Sequence, residues 1–223
     1  MFIALHDVFK FVHVLLFGYW LGADLGVFFC DSQMTRQDLD IEERLRVRRI
    51  RYKVDLAPRT CFVLIIAFGF SLALRFGSPV DGWWLALVWL ICLAWLALIF
   101  AARLRASTPS GRLLARLDRW VWRLTAVSMT GLGAYALATG QLFAGTWLAC
   151  KVLLFGLIGL NALWIMWAGD RWYPLIEDVR AGGERRQRAE ALMKVNRLWA
   201  GASAGTLWFL VLVMAFLGTV KPF

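Results

Sequence analysis

Long apolar runs, separated by charged stretches or by short breaks bearing glycine and proline, dominate the chain. Six of them, at roughly 8–29, 57–76, 83–102, 124–142, 147–167 and 198–220, approach the about 20 residues a helix needs to cross about 30 Å of hydrocarbon. The fourth, rich in Gly, Ser and Thr, carries the weakest signal. The pattern predicts an all-α, polytopic membrane helix bundle of about six transmembrane helices, forming a single transmembrane domain over 1–223. The first run lacks a basic leading segment and an A-x-A-like exit, so it is expected to remain a span and not to be cleaved as a signal peptide.

The connections alternate between long basic and short neutral. Arg36, Arg44, Arg46, Arg48, Arg49, Arg51 and Lys53 crowd the first; Arg103, Arg105, Arg112, Arg116, Arg119 and Arg123 crowd the third; the fifth runs from Arg171 to Arg197 with five further Arg or Lys residues between. The connections at 78–82 and 143–145 hold no Lys or Arg. Because basic loops stay on the cytoplasmic side, this alternation predicts that both termini are non-cytoplasmic. Glu42, Glu43, Glu184 and Glu190 among the arginines predict helical extensions beyond the first and fifth loops. The expected location is a bacterial-type inner (plasma) membrane, crossed several times.

Composition sharpens this picture in two respects. With 61% hydrophobic residues, 13 Trp and 16 Phe, the chain must be solvated largely by lipid. Its formal charge of +10 resides in the loops, where orientation accounts for it without a nucleic-acid partner. Cys30, Cys61, Cys92 and Cys150 fall in or at the end of four different runs without CxxC or His-partnered spacing, and read as reduced core thiols.

Ionisable groups at membrane depth are costly and therefore mark candidate sites. In the first span His6, Lys10, His13, Phe17, Trp20 and Asp24 recur at steps of three and four, on one helix face. Gly18, Gly22 and Gly26 form a small-residue stripe on another face, suited to close approach of a second helix, in this chain or in a second copy or complex partner. A neutral imidazole is a good ligand for heme iron or another transition metal, which makes His13 and His6 the candidate metal-binding residues. The alternatives are a core hydrogen bond for His13 and solvation at the interface for His6. Seven residues on a helix separate them by about 10 Å, so one metal cannot readily take both. Lys151, one turn into the fifth span, either snorkels outward, holds an anionic group, or serves as a neutral amine ligand. Asp24 and Arg59 are expected to pair, and Asn161 to bond within the bundle.

These residues carry a family resemblance. Lys10-Phe11-Val12-His13 with Trp20 and Gly22 resembles the first-helix pattern K-x-x-H-x6-W of the HemJ-type protoporphyrinogen oxidases and related CopD-like membrane proteins. Trp147 to Lys151 resembles that family's W-x-H-x-K helix start, Ala57-Pro58-Arg59 to Phe68-Gly69 is an echo of its second helix, and Val220 to Phe223 is similar to its closing V-K-P-F. The resemblance implies a heme b-binding protein in which His13 matches the essential histidine and Lys151 the essential, catalytic lysine, with Lys10 and Trp20 beside the cofactor. The chain departs from the family at Ala149, Cys30 and Asn161 or Ala162, where histidines are expected, and in having about two more spans.

Three functions follow as expectations. The first is a membrane redox protein with heme b, possessing an oxidoreductase activity toward a hydrophobic porphyrin or exchanging electrons with a quinone-like partner. The second is CopD-like transport of copper or a small solute; Met129, Met166 and Met214 lie in separate spans without a repeated motif, which ranks it lower. The third is a noncatalytic membrane subunit that packs through its glycine faces.

Overall fold

The computed structural model of the protein describes residues 4–222, and all the regular structure among them is helical. The helices are α1 (Leu5–Met34), α2 (Ile41–Val54), α3 (Leu56–Ala73), α4 (Gly82–Leu104), α5 (Pro109–Thr139), α6 (Thr146–Asp170), α7 (Trp172–Ala181) and α8 (Gly183–Val220), with a 3₁₀ turn at Leu74–Phe76. Six of them, α1, α3, α4, α5, α6 and α8, traverse a bundle; α2 and α7 lie at one end.

Proline chemistry separates α2 from α3 and α6 from α7. Pro58 has no N–H for the carbonyl of Val54, the last residue of α2, and Pro174 none for that of Asp170, the last residue of α6. The chain bends at both points without leaving the helical region, at Asp55 and Arg171. Turn chemistry closes the other end: Gly77 and Gly140 adopt left-handed conformations, φ 71° and 67°, that an L side chain resists. Thr108 caps α5 by accepting from the Gly111 N–H at 3.0 Å, with Pro109 in the first turn.

Neighbouring helices run antiparallel, as the paired contacts show. His13 lies against Gly69 and Trp20 against Phe62 on α1 and α3; Trp122, Thr130 and Gly133 of α5 meet Gly159, Gly156 and Leu153 of α6. Asn161 bonds to Ser203, and Lys151 reaches Gly218, across α6 and α8. The connections at Gly77 and Gly140, the start of α1 and the end of α8 thus fall at one end of the bundle, called the neutral end below; the arginine-rich connections fall at the other, the basic end.

α3 is the central helix, buried along most of its length, whereas the other helices turn apolar side chains outward: Leu90, Ile91 and Leu93 on α4, Leu124 and Val127 on α5, Phe209, Leu212 and Phe216 on α8. Outward apolar faces are the signature of a bundle solvated by acyl chains. Among the described residues, five helical stretches are long and apolar enough to cross a membrane: Leu5–Met34, Ile41–Phe76, Gly82–Leu104, Thr146–Ala181 and Gly183–Val220. The all-α multi-pass membrane bundle expected from the hydrophobic pattern fits this architecture. α5 falls short on apolarity because its first half carries arginines and its second half small and hydroxyl residues.

Those small residues have a packing role. A Cβ added to Gly156 would overlap the Thr130 backbone, and one added to Gly133 would overlap the Leu153 backbone, so α5 and α6 touch main chain to main chain. The glycine stripe of α1 is used differently from expectation. Gly18 and Gly22 face open space, and a Cβ at Gly26 would meet only the Val54 side chain, at an ordinary contact distance of 3.4 Å. The close helix approach is built from the glycines of α5 and α6.

At the basic end, α2, α7 and the start of α8 enclose a second apolar cluster, Leu175, Ile176, Val179, Ala189 and Met193, with Ile41 and Leu45 against it. Arg44 donates to Glu190 at 2.8 Å, a pair that is almost wholly buried, and Arg180 donates to Glu42 at 2.8 Å near the surface. The predicted helical extensions of the first and fifth loops form this cap.

Candidate functional site

Polar side chains inside the bundle gather in two places, separated by aromatic packing. Near the neutral end, His13 of α1 is half-buried with its ring against Gly69 of α3. A Cβ at Gly69 would lie 3.4 Å from His13 Cε1, so the glycine leaves room for the imidazole. His13 Nδ1 is buried and has no hydrogen-bond partner. The core hydrogen bond considered for this histidine is therefore absent at Nδ1, and a buried ring nitrogen without one is exceptional enough to require a role. Lys151 of α6 lies near enough to His13 for their charges to interact, and near enough to Lys221, just past α8, for the same. Its Nζ rests on the α8 backbone at Gly218, where a Cβ would be 2.5 Å away. None of the ion pairs or hydrogen bonds among the described residues involves Lys151.

Other candidates lie apart from this pair. His6 is half-buried at the start of α1 and Lys10 is exposed; neither makes a hydrogen bond or ion pair among the described residues. Trp20, 3% exposed, belongs to the aromatic core, edge-on to Phe62 and Phe155 with centroids at 5.6 and 6.2 Å. Among the described residues, no group of three or more His, Cys, Asp or Glu side chains is placed to hold a metal ion.

The aromatic core is a plug across the middle of the bundle. Phe62 is stacked between Trp122, 4.2 Å away, and Phe155, 4.5 Å away, with Trp95 edge-on at 6.1 Å. The indole N–H groups that flank Phe62 on α4 and α5 are satisfied: Trp122 donates to the Gly159 carbonyl at 2.9 Å and Trp95 to Asp118 at 2.8 Å.

On the far side of the plug, a cavity of about 380 Å³ extends from the basic end to Asp24. It is lined by a network that sequence spacing did not assemble: Arg59 donates to Asp55 at 2.8 Å and to Asp118 at 3.3 Å, Arg103 pairs with Asp55, and Arg51 pairs with Asp31. The expected Asp24–Arg59 pair does not form. Asp55 lies one helical turn before Arg59 and Asp118 opposite it on α5, and the guanidinium is directed to these two carboxylates; Asp24 instead accepts from Trp208 Nε1 at 2.8 Å. The sequence did carry a signal for Asp118, the only acid among the arginines between 103 and 123. Asn161 behaves as expected, donating to the Ser203 carbonyl at 2.8 Å and accepting from the Ser203 hydroxyl at 2.6 Å.

Searches for similarity find no matching protein family, no matching curated protein and no matching solved structure. The functional reading therefore stands on the residues themselves.

Proposed function

We propose that this protein is an integral membrane redox protein that binds heme b through His13. The carrying observation is the buried, unpartnered Nδ1 of an imidazole lodged between α1 and α3, beside an unpaired lysine. The residues present fit this group better than a bare metal ion. A copper path needs several side-chain donors, whereas a porphyrin brings four nitrogens of its own and requires only one or two from the protein. When bound, heme would supply one-electron oxidation and reduction. The chain's own part is to hold the ring through His13, to offer Lys151 to an anionic group, and to shield the site with Phe17 and the Trp20–Phe62–Phe155 plug, whose apolar surroundings bias the potential. The redox partner would be a lipid-soluble porphyrinogen or quinone-like molecule arriving through the bilayer.

The absorption spectrum of the purified protein tests this reading. A Soret band that survives washing supports it; a protein that stays colourless after expression with excess heme and reconstitution overturns it.

The cavity favours a second reading, small-solute transport. Its 380 Å³ is within the size range of small-molecule sites, and it reaches from the arginine-rich end to Asp24 inside the bundle. Uptake by proteoliposomes, abolished when Asp24 is replaced with Asn, would favour transport over redox chemistry.

A further inference from the structure

Lys151 and Lys221 approach each other at the neutral end, and among the described residues neither forms an ion pair with an acid. Lys221 follows the last turn of α8 in a left-handed conformation, φ 49°, which turns the chain back toward the bundle. Its Nζ lies over two aromatic faces, 4.3 Å from the centre of Phe76 and 5.4 Å from that of Trp147. Those faces accommodate one cation. Lys151 has no such support among the described residues: it is half-buried, pressed on the Gly218 backbone, and lies within electrostatic range of Lys221 and His13. The nearest acids in sequence to this end, Asp7 and Asp81, form no ion pair among the described residues. Two like charges held together in a partly desolvated site raise each other's cost, and an oxyanion between them relieves both.

We infer that Lys151 and Lys221 form a two-point anchor for the carboxylates of an amphiphilic dianion held at the neutral end of the bundle. In the reading given above, on which this inference rests, the dianion is the porphyrin's pair of propionates. His13 then acts on the metal at the ring's centre while the two lysines fix its edge and thereby its orientation. Lys221 belongs to the site although it is remote from His13 and Lys151 in sequence, because the end of α8 delivers it to the start of α6.

A metal-free porphyrin dicarboxylate and its dimethyl ester, which carry the same ring with and without charge, separate anchoring from iron ligation. Binding to the detergent-purified protein is followed by quenching of tryptophan fluorescence. The wild type is expected to prefer the diacid by about tenfold or more, as two charge-assisted contacts provide. Lys151→Met and Lys221→Met should each remove most of that preference, and Lys151→Arg and Lys221→Arg should retain it. A wild type that binds diacid and ester equally, or Met variants that fold and keep the preference, would overturn the anchor alone. If neither porphyrin binds, the heme reading fails together with the anchor. Loss of the preference on adding phosphatidylglycerol, but not phosphatidylcholine, would assign the lysines to lipid headgroups and overturn the porphyrin assignment. Should the Met variants not fold, a preference abolished by acetylating the lysines of the wild type, and protected by the bound diacid, upholds the anchor; an unchanged preference refutes it.

Discussion

The indole of Trp122 stacks on Phe62 with ring centroids 4.2 Å apart and 15° between their planes. This contact joins α5, the least apolar traverse, to α3, the most buried one. Phe62 also stacks on Phe155, so a single side chain couples three helices. Phe62→Ala is therefore expected to cost about 3–5 kcal/mol, the usual penalty for emptying a large aromatic site. Thermal unfolding in detergent should show the loss, and Phe62→Leu should recover most of it.

The main-chain contact of α5 with α6 gives a sharper test. Gly156→Val would place two methyl-bearing branches where Thr130 already has its backbone, and neither helix can yield without losing the Gly133–Leu153 approach as well. Gly18→Val meets only open space. The first variant should fail to accumulate as a folded monodisperse protein, whereas the second should accumulate normally in the absence of a partner at that face.

How much of this was legible in the sequence differs by level. The traverses were, because an apolar run of membrane length has few other uses. Depth was partly legible: His13 and Lys151 do lie near each other, as their equal distance from one bundle end implied. The order of burial was not. Nothing in the hydropathy of the Ala57–Phe76 region separates the central α3 from a lipid-facing helix, since both are apolar all round. Lys221, quoted only within the closing V-K-P-F likeness, was not read as a site residue, because the left-handed turn at its own residue, which sets it over Phe76 and Trp147, leaves no signal in the sequence. Asp24 was assigned the wrong partner because depth alone was matched, while rotation about α1 decides that it meets Trp208.

Arg44 and Glu190 pin the cap at the basic end, and their remaining atoms, Arg44 Nη2 and Glu190 Oε2, are buried without partners. Removing one member strands the other's charge, so Arg44→Met or Glu190→Gln should destabilise the cap by about 3–5 kcal/mol. Replacing both by Met and Leu should be far less harmful than either alone. Limited proteolysis of the 36–54 and 171–190 regions reports the loss without requiring global unfolding.

The charge alternation sets orientation. Reporter fusions at Leu39, Arg112 and Arg186 should behave as cytoplasmic, and a fusion after Phe223 as external. A cytoplasmic carboxyl terminus would refute the six-pass arrangement, including the passage of α5 that its hydropathy leaves weakest.

The two histidines distinguish a ligand from a bystander. They share a helix and a face, but seven residues place them about 10 Å apart along the axis, so a single iron reached by His13 is out of reach of His6. They also differ in surroundings: His13 is packed against Gly69 with a buried free nitrogen, while His6 lies at the first turn of α1. His13→Ala should abolish or strongly shift the Soret band, and His6→Ala should leave it largely unchanged. Crowding offers an independent control, since Gly69→Val puts extra methyl groups into the space that His13 Cε1 approaches and should tilt the ring without removing the donor. A spectrum shifted but not lost in Gly69→Val, and lost in His13→Ala, places the ligand on α1 at this position. Equal loss in the two histidine variants would instead require a second heme held by His6, and a wild-type spectrum in both would remove His13 from the site.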